Sequence, residues 1–139
     1  MKKQLAALAL GLGALSLGGL FAPVPLLAHH SFAGTYLEDA PLVAIEGKLV
    51  QFLLRNPHSF VHVEAKDPKT GETIRWAVEW GAAGQLAQQG VGREALKVGD
   101  LVKVTGSPGR NAADHRLRMR TIARPSDGWS WGNQGQTFN

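Results

Sequence analysis

The sequence predicts a small all-β domain preceded by a secretory leader. Three observations support this fold class. The first 28 residues have a short positive head, an apolar run and two prolines, which is the order typical of a signal peptide. From Val43 onwards, alternating apolar and polar segments are separated by Gly, Pro, Asn and Asp, as strands are. One short segment, residues 81–90, breaks this alternation and favours a helix.

The leader begins with Met-Lys-Lys-Gln and continues through the apolar run from Leu5 to Phe21 to Pro23 and Pro25. We predict that residues 1–28 are a signal peptide cleaved after Ala28, so that the protein is periplasmic or secreted. The alternative is a membrane anchor, since the run approaches the ~20 apolar residues that span a bilayer. Contact with a membrane is then expected through the uncleaved leader alone.

The mature chain divides into three parts. Residues 29–42 read as an extended N-terminal lead, and residues 43–124 carry the alternating pattern of the domain. Residues 125–139 are rich in Gly, Asn and Gln, which predicts a flexible tail.

Five strands and one helix are predicted within the domain. The first strand is apolar on both faces and contains Gly47, which marks a bulge or a bend. The second and third strands are joined by the turn Asp67–Gly71, with Pro early and Gly late. The helix ends at Gly90. The expected bounds are residues 43–54, 58–65 and 72–80 for the first three strands, 81–90 for the helix segment, and 101–106 and 115–123 for the last two strands.

Three strands, a helix and two further strands is the element order of the OB-fold, a small Greek-key barrel with its helix between strands three and four. A first strand that is apolar on both faces can pair in both halves of such a barrel. We therefore predict a five-stranded OB-like barrel. The alternative is a two-layer antiparallel sandwich.

The hairpin of strands two and three predicts a register. The sequence numbers of two residues that face each other across the hairpin add up to about 139. The pairs Val63–Trp76 and Val61–Val78 are expected inside the barrel, and the other two pairs outside. The pairs are Val63 with Trp76, Val61 with Val78, Glu64 with Arg75, and Phe60 with Glu79. In this register His58 and His62 lie on the outer face and flank Glu79 diagonally.

Histidines are the candidate metal ligands. The α-carbons of His58 and His62 are ~13 Å apart on an extended strand, so they need Glu79 between them to hold one ion. If cleavage follows Ala28, His29 offers an α-amine of pKa ~8 and an imidazole of pKa ~6.5 for one chelate ring. A second imidazole completes a three-nitrogen set suited to copper, an arrangement that resembles the histidine brace of exported copper proteins.

We therefore predict a copper-type ion as the cofactor, bound through His29 with His58 and with help from His30 or His62. The alternatives are an N-terminal arm without a metal, and strand histidines that stack on Phe60.

Composition and motifs favour binding over catalysis. The chain has no cysteine, and its formal charge of +4 falls to +2 once Lys2 and Lys3 leave with the leader. No serine has a nucleophile-elbow context, and the acidic pair Glu38-Asp39 reads as a solvated turn. We therefore expect a non-enzymatic protein with little attraction for nucleic acid.

A second function remains open, in which the outer face of strands two and three binds a small organic or anionic ligand, or a partner protein in the cell envelope. Phe60, Arg75 and Glu79 are the candidate ligand-binding residues of this face. The outward row Arg116, Arg118 and Arg120 lies elsewhere on the surface and reads as a soluble edge.

The segments "AHHSFAGTY", "NPHSFVHVEAKD", "IRWAVEWG" and "LKVGDLVKVTGSPGR" resemble a family of exported bacterial proteins, the domain of unknown function DUF6152. The likeness runs from about Ala28 to Arg124. It implies a leader cut near Ala28 and a small β-barrel. It supplies no function. Its polar motif positions in this chain are His29, His30, His58 and Glu79.

Overall fold

The computed structural model of the chain describes residues 32–132, so residues 1–31 and 133–139 lie outside the described part. Its elements, in chain order, begin with α1 and end with β6. They are α1 (Phe32–Thr35), β1 (Val43–Leu53), β2 (Phe60–Lys66), β3 (Thr73–Glu79), α2 (Ala83–Gln88), β4 (Leu101–Pro108), a 3₁₀ turn (Ala112–Asp114), β5 (Arg116–Arg124) and β6 (Trp129–Trp131).

β1 connects the two halves of the barrel. Its residues 43–48 pair with β4 and its residues 47–53 pair with β2. Gly47 lies where the two pairings overlap, and a Cβ there would collide with the carbonyl oxygen of Glu64. The register shifts between Leu49 and Gln51, which is a bulge. The expectation of a long bent first strand is therefore confirmed, with the close approach at Gly47 and the bulge just after it.

The sheet closes on itself. Its strand order is β3-β2-β1-β4-β5-β6, and a parallel pairing of β3 with β5, from Ala77 with Arg116 to Glu79 with Arg118, closes the ring. With α2 between β3 and β4, this is the predicted five-stranded OB-like barrel, and the sandwich alternative is wrong. β6 is added at the outer edge of β5.

The β2–β3 hairpin has the predicted register, and all four predicted pairs are observed. Its turn depends on Asp67, whose carboxylate accepts the backbone N–H groups of Lys69 at 2.7 Å and Thr70 at 3.3 Å. Gly71 completes the turn with a φ of +75°, a conformation that glycine adopts without steric cost.

α2 ends as the sequence predicts. Gly90 has a φ of +80°, its N–H donates to Ala87, and the N–H of Val91 donates back to Leu86 at 2.9 Å. This pair of bonds is the Schellman motif, which satisfies the last carbonyls of a helix. Val91 and Leu86 are both buried, so the motif also fixes α2 to the core.

The core fills the barrel and the space under α2. It consists of inward residues from every barrel strand, together with apolar residues of α2 and of the loop that follows it. Its buried members are Leu49, Val61, Val63, Val78, Trp80, Leu86, Val91, Leu96, Val102, Val104, Leu117, Met119 and Ile122. Leu117 and Met119 point inward, and the alternating Arg116, Arg118 and Arg120 point outward, as the sequence pattern predicts.

The structure differs from the prediction at both ends of the domain. The lead contains the single turn α1, and Tyr36, which follows it, is fully buried. The predicted tail begins instead with a turn and the strand β6, because Arg124 binds Asp127 at 2.8 Å and Trp131 packs edge-on against Trp80 at 4.9 Å. Among residues 32–132, no helix is long and apolar enough to cross a membrane.

The Gly47→Ala variant tests the close approach of β1 to β2. The added methyl group must displace backbone, so we expect the free energy of unfolding to fall by about 1–3 kcal/mol. Urea denaturation measures this change. The control is Gly84→Ala in α2, where a Cβ meets nothing within 4 Å and where alanine favours a helix by about 0.5–1 kcal/mol. Equal midpoints for Gly47→Ala and the native protein would contradict the prediction.

Candidate functional site

Glu79 is a buried carboxylate with three side-chain partners, Tyr36, His58 and Arg116; we call these four residues the Glu79 cluster. The glutamate is only 8% exposed. Its Oε2 accepts hydrogen bonds from the Tyr36 hydroxyl and, at 3.1 Å, from the Arg116 guanidinium, and its Oε1 contacts Nδ1 of His58. A buried charge is costly unless it is paired and hydrogen-bonded, and these three donors meet that requirement.

The members of the cluster come from four parts of the chain. Glu79 is the last residue of β3, and Arg116 begins β5, the strand that pairs with β3 in parallel. His58 lies in the loop before β2, and Tyr36 follows α1. The cluster therefore forms only when β3 pairs with β5, at the seam that closes the barrel, and when the N-terminal segment is in place.

The N-terminal segment, residues 32–38, lies on the outer side of β5; we call it the N-terminal strap. Glu38 accepts hydrogen bonds from Arg118 at 2.7 Å and from Arg120. The Phe32 ring lies 3.7 Å from the Arg118 guanidinium, a distance at which a cation is attracted to an aromatic face. Backbone bonds from Leu37 to Pro108 and from Arg110 to Thr35, each 2.9 Å, fix the strap to β4 and the following loop.

A cleft of about 290 Å³ opens beside the Glu79 cluster; we call it the His58 cleft. Phe32 and His58 form one side, with ring centroids 5.2 Å apart. Residues of α2 and Trp131 also line the cleft. The His58 side chain is 26% exposed, and among residues 32–132 no hydrogen bond uses its Nε2. His58 thus contacts Glu79 through one ring nitrogen while its side chain lines the cleft.

Trp80 also lines the His58 cleft. Its side chain is 3% exposed, and its indole Nε1 has no acceptor within the part of the chain that the structure describes. A buried donor without a partner costs about 1–3 kcal/mol. Buried donors without an acceptor are rare in native proteins, and each one needs a specific explanation, such as a bound water or ligand.

A second concavity, of about 360 Å³, lies on the outer face of β2 and β3; we call it the Ala77 cavity. Ala77 stands between His62 on β2 and Arg116 on β5. Because alanine carries only a methyl group, the surface dips there. Phe60 and Arg55 form part of the rim, with the guanidinium 5.5 Å from the ring centroid.

Two side chains of these sites have shifted pKa values. Burial lowers the pKa of His62 below its usual 6.5, and the charges of Arg75 and Arg55 lower it further. Burial also raises the pKa of the Tyr36 hydroxyl, as does its hydrogen bond to Glu79. Tyr36 thus remains a neutral hydrogen-bond donor over the physiological range.

The predicted site residues divide between the two concavities. His58 and Glu79 meet at the His58 cleft, whereas Phe60 and His62 line the Ala77 cavity. The predicted pairing of Phe60 with Glu79 is observed, but of the two histidines that flank it diagonally only His58 contacts Glu79. The His62 ring stacks on Phe60, with ring centroids 6.4 Å apart. Arg75 donates to Gln51 at 3.1 Å and is not part of the cluster. His29 and His30 lie outside the described residues.

Sequence reasoning missed the strap. Glu79 was expected on an open outer face, but the strap residue Tyr36 covers it. Glu38 was expected in a solvated turn, yet it joins two arginines of β5. The spacing of Phe32 and Tyr36, four residues apart as on one side of a helical turn, is the signal that could have indicated a docked segment.

Within residues 32–132, no group of three or more His, Asp or Glu side chains is arranged to hold a metal ion.

The chain was compared with protein families, curated proteins and solved structures. A family model described as a family of unknown function, DUF6152, matches residues 20–118. No protein of curated function matches the sequence significantly. The crystal structure of a mitochondrial single-stranded DNA binding protein from S. cerevisiae, Rim1, has a TM-score of 0.45 and 18% identity, over 60% of this chain and 92% of that one. At these values the similarity says nothing about what this chain binds.

The pKa of His62 provides a test of the Ala77 cavity. We expect Arg75→Gln to raise that pKa towards 6.5, because one of the two nearby positive charges is lost. An NMR titration of the His62 ring measures the shift, with Arg93→Gln as the control. Since the fold lowers this pKa, the unfolded chain binds more protons just below pH 6.5, so His62 makes the fold less stable as the pH falls through that range. A His62 pKa that does not respond to Arg75→Gln would contradict this account.

Proposed function

Since the chain belongs to the family of unknown function DUF6152, which supplies no activity, we propose a function from the site: an exported small domain that binds a copper-type ion through His29 and His58. One observation carries the proposal, the contact of His58 Nδ1 with the buried carboxylate of Glu79. The proposal includes cleavage of the leader after Ala28.

The carboxylate of Glu79 selects the nitrogen that His58 offers to a metal. A carboxylate accepts hydrogen bonds, so Nδ1 of His58 is the donor in this contact, and the imidazole tautomer that matches it presents the lone pair of Nε2. Metal-binding histidines almost always donate their other ring N–H to a carboxylate, a carbonyl or water in this way. The hydrogen bonds from Tyr36 and Arg116 hold Glu79, and through it the imidazole, in one orientation.

The position of Phe32 supports the part that the proposal gives to His29. Phe32 packs against the His58 ring, with centroids 5.2 Å apart. Successive α-carbons are 3.8 Å apart, so the α-carbon of His29 lies within about 11 Å of that of Phe32. This reach allows the α-amine and the imidazole of His29 to meet Nε2 of His58 at one ion, with His30 as a further donor.

The donor types favour copper. Nitrogen ligands of the amine and imidazole kind suit Cu(II) in a tetragonal arrangement, and affinities for divalent metals rise to a maximum at copper. The absence of cysteine from the sequence removes the thiolate ligands that favour structural zinc. Binding of this kind assigns no catalytic residue, and we propose none.

Titration of the exported protein with Cu(II) tests the proposal. N-terminal sequencing first establishes whether the chain starts at His29. We expect one ion per chain, and an affinity loss of tenfold or more in His58→Phe, in His29→Ala and in a form extended by two residues before His29. Glu79→Gln should cost 10- to 100-fold, as outer partners of metal ligands do.

The matched control is His115→Asn. His115 has a φ of +46°, which asparagine tolerates, and it lies against Trp76 away from the cleft. Circular dichroism confirms that each variant folds. Unchanged copper affinity in both His58→Phe and the extended form would refute the proposal.

The Ala77 cavity favours a second candidate function, the binding of a small organic anion or a partner protein on the β2–β3 face. Arg55 and Arg75 both act on His62 there, and Phe60 supplies an aromatic surface. We expect Phe60→Ala to abolish such binding and leave copper affinity unchanged, which calorimetry with the candidate ligand measures. Loss of copper binding in Phe60→Ala would instead show that the two faces are not separate.

A further inference from the structure

We propose that the His58 cleft also binds a small organic carboxylate, whose oxygen accepts the indole N–H of Trp80 and whose charge faces Arg118. This site goes beyond the metal proposal and does not depend on it. Trp80, Arg118 and the residues of α2 carry the argument, and none of them is a proposed metal ligand.

The indole N–H of Trp80 is the donor that a ligand in the cleft would satisfy. Within residues 32–132 its Nε1 is a buried donor with no hydrogen bond, although the other edge-on tryptophan of the cleft, Trp131, donates its own Nε1 to Gln89 at 2.7 Å. The two rings lie 4.9 Å apart. A ligand oxygen in the cleft would remove the cost of the unpaired group.

The charges on the Arg118 side favour an anion. One carboxylate, that of Glu38, is shared by Arg118 and Arg120. Two guanidinium groups on one carboxylate leave one formal positive charge. The carboxylate of Glu79 is already paired with Arg116 at 3.1 Å, so it does not cancel that charge. A monoanion in the cleft would restore neutrality.

The size and the walls of the cleft limit the ligand. A volume of about 290 Å³ is near the lower end of ligand pockets, which hold ~300–1,000 Å³. Leu86, Met119 and Trp131 supply apolar contacts, and Gln85 offers a side-chain amide. We therefore expect a compact molecule, with one planar or branched apolar body and one carboxylate.

Benzoate is the probe for this site and benzamide its uncharged analogue. The protein is first treated with EDTA, so that the result does not depend on copper. The chain has four tryptophans, and ¹⁵N labelling resolves their indole N–H signals by NMR, with Trp80→Phe identifying the Trp80 signal. We expect benzoate to move that signal and to bind at least threefold more tightly than benzamide.

Trp80→Phe keeps an aromatic ring in place and removes the donor. We expect it to weaken benzoate binding about 3- to 10-fold, which corresponds to a single hydrogen bond of about 0.5–1.5 kcal/mol. The control is Trp76→Phe, a half-buried tryptophan that contacts His115 and does not line the cleft. It should leave benzoate affinity unchanged.

Three results would overturn the inference: a Trp80 signal that does not move at millimolar benzoate, equal affinities of the native protein and Trp80→Phe, or equal binding of benzoate and benzamide. Its failure is separate from failure of the copper proposal, which is measured with a different probe and different variants. Benzoate binding in a protein that takes up no copper would support the carboxylate site alone.

Discussion

The buried carboxylate of Glu79 is the interaction on which the arrangement of the site depends. Its three partners come from the N-terminal strap, the loop before β2, and β5. A carboxylate in this position would be costly without them, and each partner is held by the same contact that stabilises the charge. The cluster therefore fixes the strap to the barrel seam and sets the orientation of His58 in one step.

The arginine row of β5 has a related role. Its outward guanidinium groups would form a repelling ridge if they stood alone. The strap supplies Glu38 to Arg118 and Arg120 and places the Phe32 ring on Arg118. Surface ion pairs are usually worth little, but these are half-buried and shared, and backbone hydrogen bonds hold the strap in the same place. The row is thus the binding surface for the start of the domain.

The parts of the fold that follow from local patterns could be predicted from the sequence. Alternation fixed which residues of β2 and β3 face inward, and the turn at Asp67–Gly71 then determined their register. Gly90 ended α2 for a local reason as well. The docking positions of the strap and of β6 could not be predicted, because their partners lie far away in the chain. Nothing within residues 32–38 indicates that Tyr36 will meet Glu79, 43 residues later.

The same difference between local patterns and distant partners explains which parts of the candidate site could be predicted. The hairpin register correctly brought Glu79 near the predicted histidines. It could not show that Glu79 would turn towards His58 and leave His62 with Phe60, because that choice is made by Arg116 and Tyr36. His29 and His30 lie outside the described residues.

The closing contacts of the domain join residues that are far apart in the chain. Arg110 binds Ala33 across 77 positions, and Arg120 binds Glu38 across 82. Long-range contacts of this kind can form only after most of the chain is available. A polypeptide that emerges from a ribosome or a translocation channel with its N-terminus first must therefore wait for β5 before its opening residues can dock. The strap is thus made early in synthesis, but it docks only once β5 is available.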